Sequence, residues 1–321
     1  MTKALVTGAT GFVGGHVLRA VVREGSPARI LVRPTSEMRS LNGCNADVCY
    51  GDLSDPNSLQ RAVEGVDIVF HCAGEVSDWG DRARFRQTNV TGLQNLVLAC
   101  RQGKVSRLVV MSSLSVYGIK RHDGTVESAP FCVTGDNYSD SKIEAEKRLA
   151  KEMGSTGPAI TILRPGFIYG PGDRKFIPKL ISALTSGRFA FIGDGENVLN
   201  IVHIDDVVRC TLLAALSPVA TNRSYNITDG TRTTARDFVQ ELARILHLPE
   251  PKRHVPYPAA YLFCRVSELV ARATGRPPRI SRAALKVLGV SRFFDISRAR
   301  HELGYQPSVF YKEGLRSVLA Q

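Results

Sequence analysis

Tyr138 and Lys142 stand four residues apart, so on a helix a phenol and an amine project from one face. A phenol with its ordinary pKa of about 10 is a poor base at neutral pH. A neighbouring ammonium favours phenolate and turns the same group into a proton carrier for an alcohol or a carbonyl oxygen. Upstream, Met111-Ser112-Ser113-Leu114-Ser115-Val116-Tyr117-Gly118 follows an apolar run and supplies hydroxyls that could hold such an oxygen. Near the start, Val6-Thr7-Gly8-Ala9-Thr10-Gly11-Phe12-Val13-Gly14 carries three evenly spaced glycines. Gly8 permits a tight turn, Gly11 lets the backbone approach a pyrophosphate, and Gly14 permits close packing of helix on strand. The helix start beyond them offers N–H donors and a positive dipole end to an anion.

These groups need elements to hold them. The apolar run 3–7, the glycines and a helical pattern through Phe12, Val13, Val17, Leu18, Val21 and Val22 read as strand, turn and helix. Further strands are expected over 28–32, 48–50, 66–71, 107–111 and 159–163. Helices are expected from Asp55, with Pro56 in the first turn, over 82–101 and over 140–151. Such alternation predicts an α/β fold: a Rossmann-type, doubly wound parallel sheet with helices on both faces. Residues 1–165 would form the dinucleotide-binding domain, its sheet completed by segments near 200–230. Residues 166–321, richer in proline, would form a smaller, mostly helical substrate lobe interleaved with it.

The second strand ends in Arg33, Pro34, Thr35 and Ser36, with Arg39 close by. A carboxylate there would bind the adenosine ribose hydroxyls and repel a 2′-phosphate, whereas a guanidinium suits that phosphate. NADP(H) is therefore favoured over NAD(H). Asp52 and Leu53, after the third strand, would flank the adenine.

With Gly51-Asp52-Leu53, His71-Cys72-Ala73-Gly74, Thr88-Asn89-Val90-Thr91-Gly92, Leu163-Arg164-Pro165-Gly166, Tyr169-Gly170-Pro171 and Val202-His203-Ile204-Asp205-Asp206, the chain resembles the extended short-chain dehydrogenase/reductase family along nearly its whole length. The resemblance implies an NAD(P)-dependent oxidoreductase. Tyr138 would exchange the proton while hydride moves to or from the nicotinamide, and Lys142 would also hold the nicotinamide ribose. Ser113, with Ser112 as the alternative, would orient the substrate. Cofactor contacts would come from Gly8, Thr10, Gly11, Phe12, Val13, Arg33, Asp52, Leu53, Ala73, Gly74, Asn89 and Pro165 besides Tyr138 and Lys142. Substrate contacts would come from Ser113, Trp79, Ile168 and Tyr169. Asn89 also reads as a helix cap or backbone clamp, and His71 and His203 as satisfied core residues. No histidine pairs with a carboxylate at metal spacing, so no metal is expected.

The downstream stretches Pro277-Pro278-Arg279-Ile280-Ser281, Ser291-Arg292-Phe293-Phe294-Asp295-Ile296-Ser297-Arg298-Ala299 and Leu303-Gly304-Tyr305-Gln306-Pro307 are similar to the 3β-hydroxysteroid dehydrogenase branch. That branch includes sterol-4α-carboxylate 3-dehydrogenases and reductases of 2-alkyl-3-keto acids. Nucleotide-sugar members usually carry an arginine before the Val-His segment, but here Leu199 and Asn200 stand there. A hydrophobic, sterol-like alcohol or ketone is the favoured substrate. A nucleotide-sugar epimerase or dehydratase, or a dihydroflavonol-type or 2-alkyl-3-oxoacid reductase, is the alternative.

Composition agrees with a globular enzyme: 321 residues, 43% hydrophobic and 22% charged. The net charge of +12 is concentrated late, with 13 basic and 4 acidic residues over 251–321. That balance would suit an anionic substrate or lipid surface. The apolar segment 257–273 could form a lid or touch a bilayer, or pack as an ordinary helix. No nucleic-acid module is evident, so no such partner is expected. Seven cysteines, none in a Cys-x-x-Cys pair, read as reduced thiols of a cytoplasmic protein, peripheral to a membrane if the basic lobe docks. The resemblance implies a homodimer through the helices near 82–101 and 138–151.

Overall fold

The computed structural model describes residues 2–77, 80–154, 156–274, 285 and 289–319. Trp79 and the stretch 277–281 lie outside the described residues.

The sheet strands are β1 (Ala4–Thr7), β2 (Ala28–Val32), β3 (Asp47–Tyr50), β4 (Ile68–His71), β5 (Arg107–Met111), β7 (Ala159–Pro165) and β11 (Arg223–Ile227). They lie in the order β11-β7-β5-β4-β1-β2-β3, and every pairing is parallel. Parallel strands need crossovers on the faces, and helices supply them. Packed on one face are α1 (Phe12–Arg23), α7 (Ile204–Leu216) and α10 (Ser297–Leu303). On the other face lie α2 (Pro56–Val63), α4 (Gly92–Gln102) and α5 (Asn137–Glu152). The chain leaves β1 toward β2 and β3 on one side and returns to β4, β5 and β7 on the other. The order therefore reverses between β1 and β4, which opens a crevice at their carboxyl ends.

Local signals account for the helix starts. Asp55 caps α2 by accepting from the Asn57 N–H, with Pro56 in the first turn. The α5 helix begins at Asn137 rather than near 140, because Asp136 accepts from the Ser139 N–H (2.8 Å) and hydroxyl (2.7 Å). That cap places Tyr138 in the first turn. The helix expected over 82–101 is α3 (Arg82–Arg86), a wide π-type turn over 87–91 and then α4. Asn89 sits in that turn, where such irregularities often serve a site.

The smaller lobe is built on α6 (Phe176–Thr185), α8 (Ala235–Ile245), α9 (Tyr257–Thr274) and α11 (Tyr311–Leu319). Short parallel pairs lie outside the large sheet: β8 (Phe167–Tyr169) with β10 (Ile201–His203), β9 (Phe191–Ile192) with β12 (His254–Val255), and β6 (His122–Thr125) with β13 (Arg292–Phe294). Its core holds Tyr169, Ile177, Phe191, Leu199, Phe238 and Leu315. No helix among the described residues is long and apolar enough to cross a membrane.

Candidate active site

The glycine loop lies in the crevice between β1 and β4. Gly8 has φ +70°, and a Cβ there would meet the Ala73 backbone at 2.6 Å. A Cβ on Gly14 would strike the Gly8 carbonyl oxygen, so α1 can reach the strand only as glycine. Gly11 is the N-cap of α1 and is exposed; no side chain caps it and no acidic residue occupies the first turn. Uncapped N–H groups at a bare, positive helix end fit a pyrophosphate. Thr10, Phe12 and Val13 border the same loop, half-buried.

The neighbouring strand ends carry the other expected cofactor contacts. Arg33 is exposed after β2. Asp52, after β3, accepts from the Ser54 hydroxyl (2.6 Å) and N–H (2.9 Å), which hold its carboxyl below the usual range, with Arg33 adding a smaller pull. Leu53 is buried under Gly92, and its carbonyl accepts from Asn95 (3.0 Å). The Ala73 N–H donates to the Thr7 hydroxyl (3.3 Å), and Gly74 lies open between Asn89 and Lys142. Pro165 is buried beside Ile227. Asn89 clamps the backbone at Glu75 from both sides (2.8 and 3.1 Å) and donates to the Ser141 hydroxyl (2.9 Å). Ser141 in turn donates to the Tyr138 carbonyl (2.7 Å), so Asn89 positions the start of α5.

The catalytic side chains converge at the end of β5. Ser113 follows the strand, and its hydroxyl accepts from the Ser115 N–H (3.1 Å) while lying near enough to the Tyr138 phenol to favour its ionised form. Lys142 lies with its Nζ 5.9 Å from the Tyr138 ring centre and donates to the Met111 carbonyl (2.9 Å). Burial pushes the Tyr138 phenol up to about 12 and the Lys142 ammonium down to about 8. The Ser113 hydroxyl pulls Tyr138 down against burial, and the Lys142 ammonium stands beside the ring with one of its three N–H groups on the Met111 carbonyl.

Ser112 faces the other way. Its hydroxyl donates to Glu146 (2.5 Å), which also pairs with Arg164. Arg164 reaches the Tyr117 hydroxyl and the Glu127 carbonyl, and Tyr117 donates to Asn226 (2.8 Å). Sequence reading missed this buried network, although Glu146 lies one turn beyond Lys142 on the same face.

One further expectation differs. Tyr169, expected at the substrate, packs in the core of the smaller lobe, fully buried between His203, Phe238 and Gly314. Its strand neighbour Ile168 is only partly buried, as period-two alternation dictates. His71 bonds the Thr7 hydroxyl (2.9 Å), and His203 caps α7 and contacts Ser317 (3.1 Å). The described residues hold no cluster of metal-ligating groups.

Comparison with known proteins agrees with this geometry. Residues 4–228 match the NAD dependent epimerase/dehydratase family. The 2-alkyl-3-oxoalkanoate reductase of Stenotrophomonas maltophilia is 31% identical over 99% of this chain and 98% of its own. The 3beta-hydroxysteroid-dehydrogenase/decarboxylase isoform 2 of Arabidopsis thaliana is 28% identical over 98% of this chain and 61% of its own. The crystal structure of gox2253 superposes with a TM-score of 0.82 at 31% identity, covering 99% of this chain and 97% of that one. The chain belongs to the NAD dependent epimerase/dehydratase family, as an NAD(P)-dependent oxidoreductase of its 3β-hydroxysteroid dehydrogenase-like branch.

Proposed function

We propose that this oxidoreductase interconverts a secondary alcohol and a ketone on a hydrophobic substrate, an acyl or sterol-like molecule bearing a carboxylate. The nicotinamide supplies or accepts the hydride. Tyr138 takes the hydroxyl proton during oxidation and returns it during reduction, and Ser113 holds the oxygen between them. Lys142 keeps the nicotinamide-facing side of the site electropositive.

One observation carries the choice of substrate. Leu199, at the place where nucleotide-sugar members carry a phosphate-gripping arginine, is 4% exposed and packed in the apolar core of the smaller lobe. It offers a diphosphate nothing. The named activities of the two relatives, on an oxoalkanoate and a hydroxysteroid, support the same reading. The test is nicotinamide absorbance with 3-hydroxy acids, sterols and nucleotide sugars, each with NAD and NADP. Turnover of the first two classes is expected; turnover confined to nucleotide sugars would overturn the reading.

NADP(H) is the favoured cofactor on the strength of Arg33, exposed at the end of β2. Arg33→Ala should weaken NADP(H) about tenfold or more and leave NAD(H) unchanged. Equal effects on both would remove the argument.

The outer face of α9 supports peripheral contact with an anionic bilayer. Leu262, Phe263, Val266, Leu269 and Val270 all project outward, each more than half exposed, whereas Cys264, Glu268 and Ala271 face inward. Exposed Lys252, Arg253 and Arg265 flank them. The protein should sediment with phosphatidylglycerol vesicles, and Leu262→Glu/Leu269→Glu should abolish this. Equal sedimentation of the variant would reject the contact.

A further inference from the structure

Two arginines are buried among the described residues, Arg164 and Arg292. Arg164 has Glu146 for a partner. Arg292, 3% exposed on β13, has no carboxylate partner among the described residues, and its Nε and Nη2 make no hydrogen bond. Burial alone acts on its proton affinity and pushes it down to about 10. A guanidinium enclosed without an anion costs several kcal/mol, so its retention calls for an occupant.

The place of β13 indicates what that occupant is near. Arg292 and Phe294 share a strand face, with the guanidinium 5.7 Å from the Phe294 ring. Phe294 packs with Leu114, Val116, Tyr117 and Ile143. Leu114 directly follows Ser113, and Ile143 directly follows Lys142. On the other flank, the Arg292 N–H donates to the Val198 carbonyl (2.8 Å), and the Ser291 hydroxyl accepts from the Val198 N–H (3.2 Å). The strand thus bridges the catalytic hydroxyls' neighbours and the segment 198–200 of the smaller lobe. Across β6, the register partner of Arg292 is His122. His122 is engaged by Thr125 (2.9 Å) and Gly118 (3.0 Å) and supplies no negative charge.

The two free nitrogens define the shape of the missing anion. Nε and Nη2 form the side-on edge of the guanidinium, two parallel N–H groups that match the two oxygens of one carboxylate. We propose that Arg292 binds the substrate carboxylate through this edge and so selects 3-hydroxy and 3-oxo acids over the corresponding uncharged alcohols and ketones. This rests on the alcohol–ketone activity proposed above and names the charged group that activity recognises.

The experiment compares 3-hydroxydecanoate with 2-nonanol, the same alcohol without its carboxylate, in wild type, Arg292→Met and Arg292→Lys. Arg292→Met should raise KM for 3-hydroxydecanoate about tenfold or more and leave 2-nonanol unchanged. Arg292→Lys should recover part of the loss. Melting temperature should not fall in Arg292→Met, because an unpaired buried charge is removed. Equal KM values for the acid in wild type and Arg292→Met, or equal losses on both substrates, would overturn the inference. A separate readout needs no turnover: 3-hydroxydecanoate should raise the melting temperature of wild type and not of Arg292→Met. Wild type that is stabilised by the acid but transfers no hydride would sink the proposed activity and leave Arg292 standing. Wild type that is not stabilised would sink Arg292.

Discussion

Glu146 and Arg164 form an ion pair closed off from solvent, with a nitrogen–oxygen distance of 2.5 Å and side-chain exposures of 3% and 5%. Glu146 lies one turn beyond Lys142, and its carboxylate raises the Lys142 ammonium against the larger, opposing effect of burial. The pair therefore links the back of the site to the charge state at its front.

Removing that carboxylate should act twice. Glu146→Gln leaves Arg164 buried and unpaired, which costs about 3–5 kcal/mol of stability. It also takes away the group that sustains the Lys142 proton, so the activity limb that needs a protonated Lys142 should move to lower pH. Thermal melts and the pH profile of kcat measure the two effects. A variant with an unshifted profile would confine Glu146 to a structural role.

Tyr138→Phe removes the proton carrier and little else. Turnover should fall about 10²–10⁴-fold while cofactor affinity stays the same. Steady-state assays beside cofactor titration separate the two, and unchanged turnover would refute the assignment.

Gly14→Ala forces a methyl group onto the Gly8 carbonyl oxygen. The loop must shift, at a cost of about 1–3 kcal/mol, and cofactor affinity should fall with it. Calorimetric titration of the cofactor against thermal melts tests this. Normal affinity in the variant would show that the cradle tolerates the displacement.

Acid stability should depend on His71, which burial holds down to about 3. The folded pKa lies below the unfolded value of about 6.5, so the unfolded chain binds the extra proton. The site's contribution is full above about pH 6.5 and is lost toward pH 3, by up to about 1.4 kcal/mol per pH unit. His71→Gln should flatten the decline in chemical-denaturation stability over that range. An identical slope in both proteins would assign acid sensitivity elsewhere.

Local information determined much of this protein. Gly8, Gly11 and Gly14 announce the turn between β1 and α1 because each answers a steric demand within a few residues. The strand–helix alternation dictates a parallel sheet, and the four-residue spacing of Tyr138 and Lys142 dictates that they share a face of α5. Even the missed start of α5 was written locally, in the Asp136 cap. Only the tertiary structure decided which neighbours those side chains meet. Ser112 and Ser113 are adjacent, yet one turns to Glu146 and the other to Tyr138, because successive residues leaving β5 face opposite sides. Tyr169, with the motif of a site residue, became core once α8 and α11 closed over it. The pairing of Glu146 with Arg164 and the isolation of Arg292 arise between segments far apart in the chain. The energies there come from burial and from the presence or absence of an opposite charge, which no local pattern encodes.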